Sequence, residues 1–96
     1  IHTVGPIWRG GPYNEEKLLA NCYKSCLRCA VAKEIKTIAF PSISTGAYGF
    51  PVDRACKIAL RETISFLDLS PSLGKVIFVC FGRDVLKSYQ RTYGDL

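Results

Sequence analysis

The residues best suited to chemistry lie in one uncharged loop, ISTGAYG, at positions 43–49. Two glycines three residues apart, Gly46 and Gly49, allow positive φ angles and a close approach of a ligand to the backbone. The loop follows an apolar stretch that ends at Phe40 and precedes a helical pattern that starts near Pro51. A strand-to-helix loop presents free N–H groups and the positive end of the helix dipole. The pattern therefore predicts a backbone site for an anion, with phosphate as the expected ligand.

The same composition also fits an ordinary connection, because short strand-to-helix loops often contain Gly, Ser and Thr for turn geometry alone. No Lys follows Gly49, so the loop is not a Walker A motif, and it does not match GxGxxG. Tyr48 and Phe50 offer flat apolar surfaces that suit a sugar ring beside a phosphate. Loop composition alone leaves the binding site and the plain turn open.

Two further patterns lie on a predicted helix. Cys22 and Arg28 have the spacing of a phosphatase nucleophile loop, but that chemistry needs a Gly-rich cradle rather than an uninterrupted helix. Cys22, Cys26 and Cys29 lack the Cys-x-x-Cys pairs of structural zinc sites, and free Cys is a common core residue. We expect neither a metal site nor a cofactor.

His2 is the single histidine and lies at the amino end of a predicted strand. Ligands of open α/β sheets bind outside the carboxyl ends of the strands, so we do not expect His2 to be a catalytic base. No base neighbours the hydroxyls of Ser42, Ser44 and Thr45 in sequence, and we expect none of the three to be a covalent nucleophile.

Hydrophobic periodicity predicts three strands, at residues 1–4, 35–40 and 75–81, that alternate with three helices. The last two strands are apolar almost throughout, which is typical of parallel strands covered on both faces. Alternation of this kind predicts an α/β fold with right-handed crossovers. The first helix is expected to run from an Asn14 cap to about Lys33, with a buried stripe of Leu18, Cys22, Cys26, Cys29 and Ala30.

The second helix is expected to begin at Pro51 and to end before Ser70, with a polar stripe at helical spacing. A short third helix follows Gly82. Its inward residues are expected to be Val85, Leu86 and Tyr89.

Composition restricts the class of protein. The 96 residues suffice for one small domain, with 48% hydrophobic and 22% charged residues. The net charge of +5 comes from scattered Lys and Arg, so nucleic acid is not the expected partner. Five cysteines, an odd number, favour reduced thiols in an intracellular, cytoplasmic protein. No apolar run reaches the ~20 residues of a membrane span, so we expect no membrane partner.

Several ungapped segments resemble the MacroD-type class of macro domains. Beside the loop at 43–49 they are HTVGP at 2–6, LANCYKS at 19–25, AFP at 39–41 and VIFVCF at 76–81. The resemblance covers nearly the whole chain. It implies a three-layer α/β/α fold with a mixed, mostly parallel sheet. Residues 1–96 would form a β-α-β-α-β-α portion of one such domain.

The resemblance also implies a function. Macro domains bind ADP-ribose, and many MacroD-type members hydrolyse ADP-ribose esters on proteins or deacetylate O-acetyl-ADP-ribose. ADP-ribose or an ADP-ribosylated protein is therefore the implied partner. The loop backbone would hold the diphosphate, and adenine would stack on an aromatic at a strand end. No catalytic residue is implied in this chain, although Tyr48 and Gly46 would support catalysis. The implied ligand-binding residues are Ile43, Ser44, Thr45, Gly46, Ala47, Tyr48, Gly49 and Phe81.

The segments that match belong to the second half of a macro domain. The Asn-rich strand end, the long Gly-rich loop and the adenine-reading Asp of the first half have no counterpart here. In the family, a strand from that half separates the strands matching residues 1–4 and 35–40. We therefore expect the chain alone to be inactive. A second chain that supplies the other half is one partner that this expectation suggests. The alternatives are an ADP-ribose reader without turnover and a basic nucleic-acid-binding fragment.

Overall fold

A computed structural model describes all 96 residues as three helices and two strands. Helix α1 covers Glu15–Ala32, strand β1 covers Thr37–Pro41, helix α2 covers Val52–Leu69, strand β2 covers Lys75–Val79, and helix α3 covers Arg83–Gly94. The alternation of strands with helices confirms the predicted α/β class. The strands lie within the predicted stretches, except that β1 extends one residue further, to Pro41.

Strands β1 and β2 pair in parallel, from Thr37 opposite Lys75 to Pro41 opposite Val79. Their carboxyl ends therefore meet at one sheet edge, and the 43–49 loop leaves β1 there. The strand predicted at residues 1–4 is absent, because no neighbouring strand lies beside these residues to exchange backbone hydrogen bonds. A cavity of about 420 Å³ separates residues 1–3 from β1 instead.

The sheet is covered on one face only. Phe40 and Phe78 point towards the helices, where Phe40 contacts Tyr23 of α1 and Phe78 contacts Tyr89 of α3. Burial along both strands alternates, with exposed residues on the opposite face. The prediction that both faces of these strands are covered is therefore wrong for this chain. The chain supplies one helical layer and part of a sheet.

The buried stripe of α1 differs from the predicted one. Leu19, Tyr23 and Leu27 are fully buried, whereas Leu18 is 48% exposed. Cys26 and Ala30 are buried as predicted, while Cys22 and Cys29 are half-buried at the margin. The cysteine pattern predicted a buried face that is rotated by about one residue from the observed one. The observed face is buried because Tyr23, Leu19 and Leu27 contribute far more apolar area than the cysteines.

Helices α2 and α3 follow the prediction more closely. The polar stripe of α2 is exposed, and its opposite side buries Ala55, Cys56, Ala59, Leu60 and Thr63. In α3, Tyr89 is buried and Val85 half-buried as expected, but Leu86 is largely exposed because its side of α3 has no neighbouring element. None of the helices is both long and apolar enough to cross a membrane.

Candidate functional site

Two consecutive turns shape the ligand loop, which we define as residues 43–49. The Thr45 N–H donates to the Ser42 carbonyl at 3.5 Å, and the Gly49 N–H donates to the Gly46 carbonyl at 3.0 Å. The Phe50 N–H reaches back to the Ser44 carbonyl at 2.9 Å, which closes the loop at its base. These bonds define a compact loop at the carboxyl edge of the sheet.

Four backbone N–H groups of this loop have no acceptor in the chain. They belong to Ser44, Gly46, Ala47 and Tyr48, and none donates to a backbone or side-chain oxygen. Unpaired N–H groups carry partial positive charge, and several on one short loop attract an anion. The first turn of α2 begins three residues later and adds the positive end of its dipole. The loop can therefore hold a phosphate without any cationic side chain.

Positive φ angles occur at Ser44, with φ of 67°, and at Gly49, with φ of 71°, but not at Gly46. The expectation that Gly46 needs a special φ is therefore wrong. A Cβ at Gly46 would meet no atom of the chain within 4 Å. The chain itself has no need of glycine there, so open space at Gly46 is available to a ligand. Ser44 is a non-glycine residue in a strained region, which is common at ligand sites.

The hydroxyls of the loop face the protein. Thr45 Oγ1 donates to the Ser42 carbonyl at 3.0 Å and lies 2.8 Å from Ser42 Oγ. Ser44 Oγ is buried without a hydrogen-bond partner. His2 is bonded to none of these hydroxyls, so the loop lacks the base that a hydroxyl nucleophile needs. The Ile43 N–H donates to the Tyr23 hydroxyl at 3.5 Å, and burial raises the pKa of Tyr23 well above its ordinary range.

A segment that precedes α1 braces the ligand loop from one side. A Cβ at Gly5 would overlap Ser44 Oγ and Ile43 Cγ2, so the backbone of residue 5 packs against these two side chains only because it is glycine. The Trp8 N–H donates to the Tyr48 carbonyl at 2.9 Å, and the indole lies 4.8 Å from the Phe50 ring. Trp8 is half-buried and packs against the core through this ring contact.

Glu15 holds the next part of this segment. Its Oε2 accepts the N–H groups of Arg9 at 3.0 Å and Gly11 at 2.8 Å, and its Oε1 accepts the N–H of Tyr13 at 2.6 Å. Burial raises the pKa of Glu15, but the hydrogen bonds from these N–H groups outweigh it and lower the pKa below its ordinary value. Asn14 occupies the N-cap position with φ of 60° and makes no side-chain cap. The predicted Asn14 side-chain cap is therefore wrong, and the Glu15 carboxylate binds the segment before α1 rather than the helix N–H groups.

The ligand loop borders two cavities. A cleft of about 350 Å³ is lined by Tyr48 and by residues of the segment before α1, and also by Glu15. The cavity of about 420 Å³ beside β1 reaches Ile43 and is also lined by His2. Phe81 lies past the end of β2 at the same edge, but it is 77% exposed and lines neither cavity. No group of three or more His, Cys, Asp or Glu side chains is placed to hold a metal.

Sequence reasoning missed the bracing residues. Neither Glu15 nor Gly5 belongs to a motif that the sequence alone identifies as part of a site. The available signal was a turn-rich stretch, PIWRGGP at 6–12, followed by a glutamate that such a backbone can surround with N–H groups. Distant contacts such as Gly5 with Ser44 have no local sequence signal.

The sequence of the chain is similar to those of several known proteins. The Macro domain family model matches residues 1–59. The chain is 52% identical over 96 residues to a macro domain-containing protein of Caldanaerobacter subterraneus subsp. tengcongensis. The alignment covers 100% of this chain and 54% of that protein. It is 48% identical over 91 residues to a protein named O-acetyl-ADP-ribose deacetylase from Enterobacter cloacae, covering 95% of this chain and 51% of the relative.

Solved structures agree with the sequence matches. The Oceanobacillus iheyensis macrodomain with ADP is similar with a TM-score of 0.93 and 44% identity, over 98% of this chain and 49% of that one. The Trypanosoma brucei macrodomain in complex with ADP-ribose is similar with a TM-score of 0.88 and 38% identity, over 97% of this chain and 38% of that one. The chain therefore spans about half the length of the curated relatives it matches.

Proposed function

The chain belongs to the macro domain family, and we propose that it forms the diphosphate-binding part of an ADP-ribose site. The observation that supports this most is the group of four unpaired N–H groups on the ligand loop. Phosphate oxygens are the natural acceptors for such donors, and the open space at Gly46 lets them approach the backbone. The names of relatives crystallised with ADP and ADP-ribose support the same ligand.

The contact residues of the proposal are those of the ligand loop, with different roles. Ser44, Gly46, Ala47 and Tyr48 would bind through their N–H groups, since the side chain of Ser44 is turned into the protein. The Tyr48 ring would lie against the distal ribose in the cleft that it lines. Ile43, Thr45 and Gly49 would shape the loop, and Phe81 would offer its exposed ring to adenine.

We further propose that the complete domain hydrolyses ADP-ribose esters, as the name of the Enterobacter relative suggests. Because the hydroxyls of the loop have no neighbouring base, water is the proposed nucleophile rather than a side chain. The chain would contribute by fixing the diphosphate and ribose, with Gly46 and Tyr48 beside the reacting ester. Positioning of this kind accounts for a large share of catalysis in many enzymes.

Calorimetry tests the binding proposal. The protein used is the chain mixed with the part of the Caldanaerobacter relative that it does not cover, hereafter the reconstituted domain. We expect ADP-ribose and ADP to bind, and adenosine, which lacks the diphosphate, to bind far more weakly. Equal affinity for adenosine and ADP would contradict a diphosphate site on this loop.

An ADP-ribose reader without turnover is the second candidate. Release of acetate from O-acetyl-ADP-ribose by the reconstituted domain separates the two, because a reader binds without releasing it. The scattered basic residues give no support to a nucleic-acid-binding fragment. If RNA bound with steep salt dependence and ADP-ribose had no effect, that third reading would replace both.

Two further parts of the proposal concern partners and compartment. The unpaired edge of β1 beside an open cavity supports a second polypeptide, or another part of a longer one, as the source of the remaining sheet. An ADP-ribosylated protein is the proposed macromolecular substrate. Five free cysteines support a reducing, intracellular compartment.

A further inference from the structure

The carboxylate of Glu15 is a buried charge that the proposed function does not use. Only 1% of the residue is exposed, and both oxygens accept backbone N–H groups from the segment that precedes α1. Three such bonds over five residues fix that segment to the first turn of α1. Its neighbour Glu16 is half-exposed and pairs with Arg54 at 2.7 Å. The two adjacent glutamates thus have different environments, and only Glu15 shapes the backbone.

The segment held by Glu15 continues directly into the bracing contacts of the ligand loop. Arg9, whose N–H is bonded to Glu15, follows Trp8, whose N–H is bonded to the Tyr48 carbonyl. The Trp8 ring also contacts Phe50 at the end of the loop. A connected path of hydrogen bonds and ring contacts therefore runs from the carboxylate to a residue with one of the unpaired N–H groups.

The cleft beside Tyr48 is lined by the same residues. Glu15, Arg9 and Tyr13 line it together with Tyr48. The width of the cleft depends on where the segment before α1 lies. Arg9 is the single cation on the cleft, and the negative charge of Glu15 is stabilised by hydrogen bonds from three backbone N–H groups.

We propose that Glu15 is a positioning residue for the ADP-ribose site, which holds residues 8–13 so that they fix the ligand loop and the width of the cleft. It touches no ligand and acts through Trp8 and the backbone of Arg9. The inference depends on the proposed function for the identity of the ligand, but its effect on the loop is independent of any ligand.

Glu15→Gln is the informative substitution because it keeps the size of the side chain. One oxygen becomes an NH2 group, which cannot accept a backbone N–H. If that group replaces Oε1, the Tyr13 bond is lost, and if it replaces Oε2, the bonds to Arg9 and Gly11 are lost. Either orientation sets donors against donors, and the segment must move away. Glu62→Gln is the matched control, because Glu62 pairs with Lys24. Glu16 is unsuitable, since its partner Arg54 lies over the Trp8 ring.

The first readout follows Trp8, the single tryptophan of the chain. Incorporating 5-fluorotryptophan into the chain gives one ¹⁹F signal, recorded from the free chain and from the reconstituted domain. We expect Glu15→Gln to shift this signal and to increase its solvent isotope effect, while Glu62→Gln leaves both unchanged. An unshifted signal in a folded Glu15→Gln protein overturns the proposal.

The second readout is ADP-ribose affinity of the reconstituted domain. We expect Glu15→Gln to weaken binding about tenfold, which is about 1.4 kcal/mol, and Glu62→Gln to bind like the parent. If the parent itself binds no ADP-ribose, the proposed function fails while the ¹⁹F signal still decides the role of Glu15. If Glu15→Gln does not fold, Glu15→Asp replaces it. That variant keeps both acceptors and shortens the reach, so an unmoved Trp8 signal and unchanged affinity there overturn the proposal.

Discussion

Three glycines of this chain, at positions 5, 46 and 49, differ in the physical reason for glycine. Gly5 leaves room for Ser44 and Ile43, and Gly49 adopts a φ of 71° that other residues reach only with strain. Gly46 has neither constraint, since its φ is not positive and a Cβ would meet open space. The absence of a folding reason at Gly46 is what makes it informative about the ligand.

Substitution of Gly46 is expected to separate binding from folding. Gly46→Val in the reconstituted domain should weaken ADP-ribose binding about 30-fold, or about 2 kcal/mol, because the side chain occupies the space of the diphosphate. Its melting temperature should stay that of the parent. Gly49→Ala should instead lower stability by about 1 kcal/mol through its positive φ. If calorimetry gives the same ADP-ribose affinity for Gly46→Val as for the parent, the diphosphate does not bind at this loop.

Two carboxylates make stability depend on pH. Burial raises the pKa of Glu15, but the hydrogen bonds that it accepts from backbone N–H groups lower the pKa by more. The pKa of Glu15 in the folded protein therefore lies below its ordinary value. The Ser88 hydroxyl, and then Arg91, lower the pKa of Asp53. Because both values are depressed by folding, the stabilisation is complete above the ordinary carboxyl range of about pH 4 and is lost as pH falls through the folded values.

Urea titrations of the reconstituted domain at several pH values test this. Between about pH 6 and pH 3 the midpoint of the parent should fall, and that of Glu15→Gln should fall less because one of the titrating groups is gone. Glu16→Gln should follow the parent. Parallel pH profiles for Glu15→Gln and the parent would show that Glu15 has the same pKa in both states.

Among the elements, helix α1 has the largest consequence for the site. It buries Tyr23 under the ligand loop, provides Glu15 at its first residue and packs Leu27 into the core. The existence and bounds of this helix follow from sequence periodicity, which predicted its end within one residue. Its inward face does not, because the choice between two adjacent stripes depends on which partner surface is present.

Two leucines of α1 test which stripe is buried. Leu27→Ala should destabilise the reconstituted domain by about 2–5 kcal/mol, since a fully buried leucine leaves a cavity. Leu18→Ala, on the stripe that periodicity favoured, should change stability by less than about 0.5 kcal/mol. Chemical denaturation measures both. Equal losses of stability from the two variants would show that the predicted stripe, which contains Leu18, is also buried.

For the whole molecule, the sequence predicted the pairing of the last two strands better than the structure of residues 1–4. The parallel pairing of two strands and the position of the loop at their carboxyl edge followed from alternating apolar and helical segments. The strand at residues 1–4 could not be predicted correctly from its own composition, because strand formation depends on a neighbour that supplies hydrogen bonds. For the same reason, a local apolar pattern did not tell how many faces of the sheet are covered.

The lone chain is expected to be a poor enzyme. With two strands, one covered sheet face and an open cavity beside β1, its free energy of folding should be near zero. It should therefore not hydrolyse ADP-ribosylated protein, whereas the reconstituted domain should both melt cooperatively and turn over. Calorimetric melting and release of labelled ADP-ribose provide the comparison. A cooperative melt with full hydrolysis by the lone chain would show that the two-stranded sheet is sufficient.

The exposed face of β2 has a consequence for the handling of the protein. Ile77 and Val79 lie uncovered in a row that continues to Phe81, next to a strand edge whose N–H and C=O groups have no partner. An uncovered apolar strand edge is a template for pairing with other chains. Self-association into aggregates would therefore compete with assembly, and the competition would grow with concentration. Synthesis of the chain together with its complement, at low concentration, would then decide whether soluble protein is recovered.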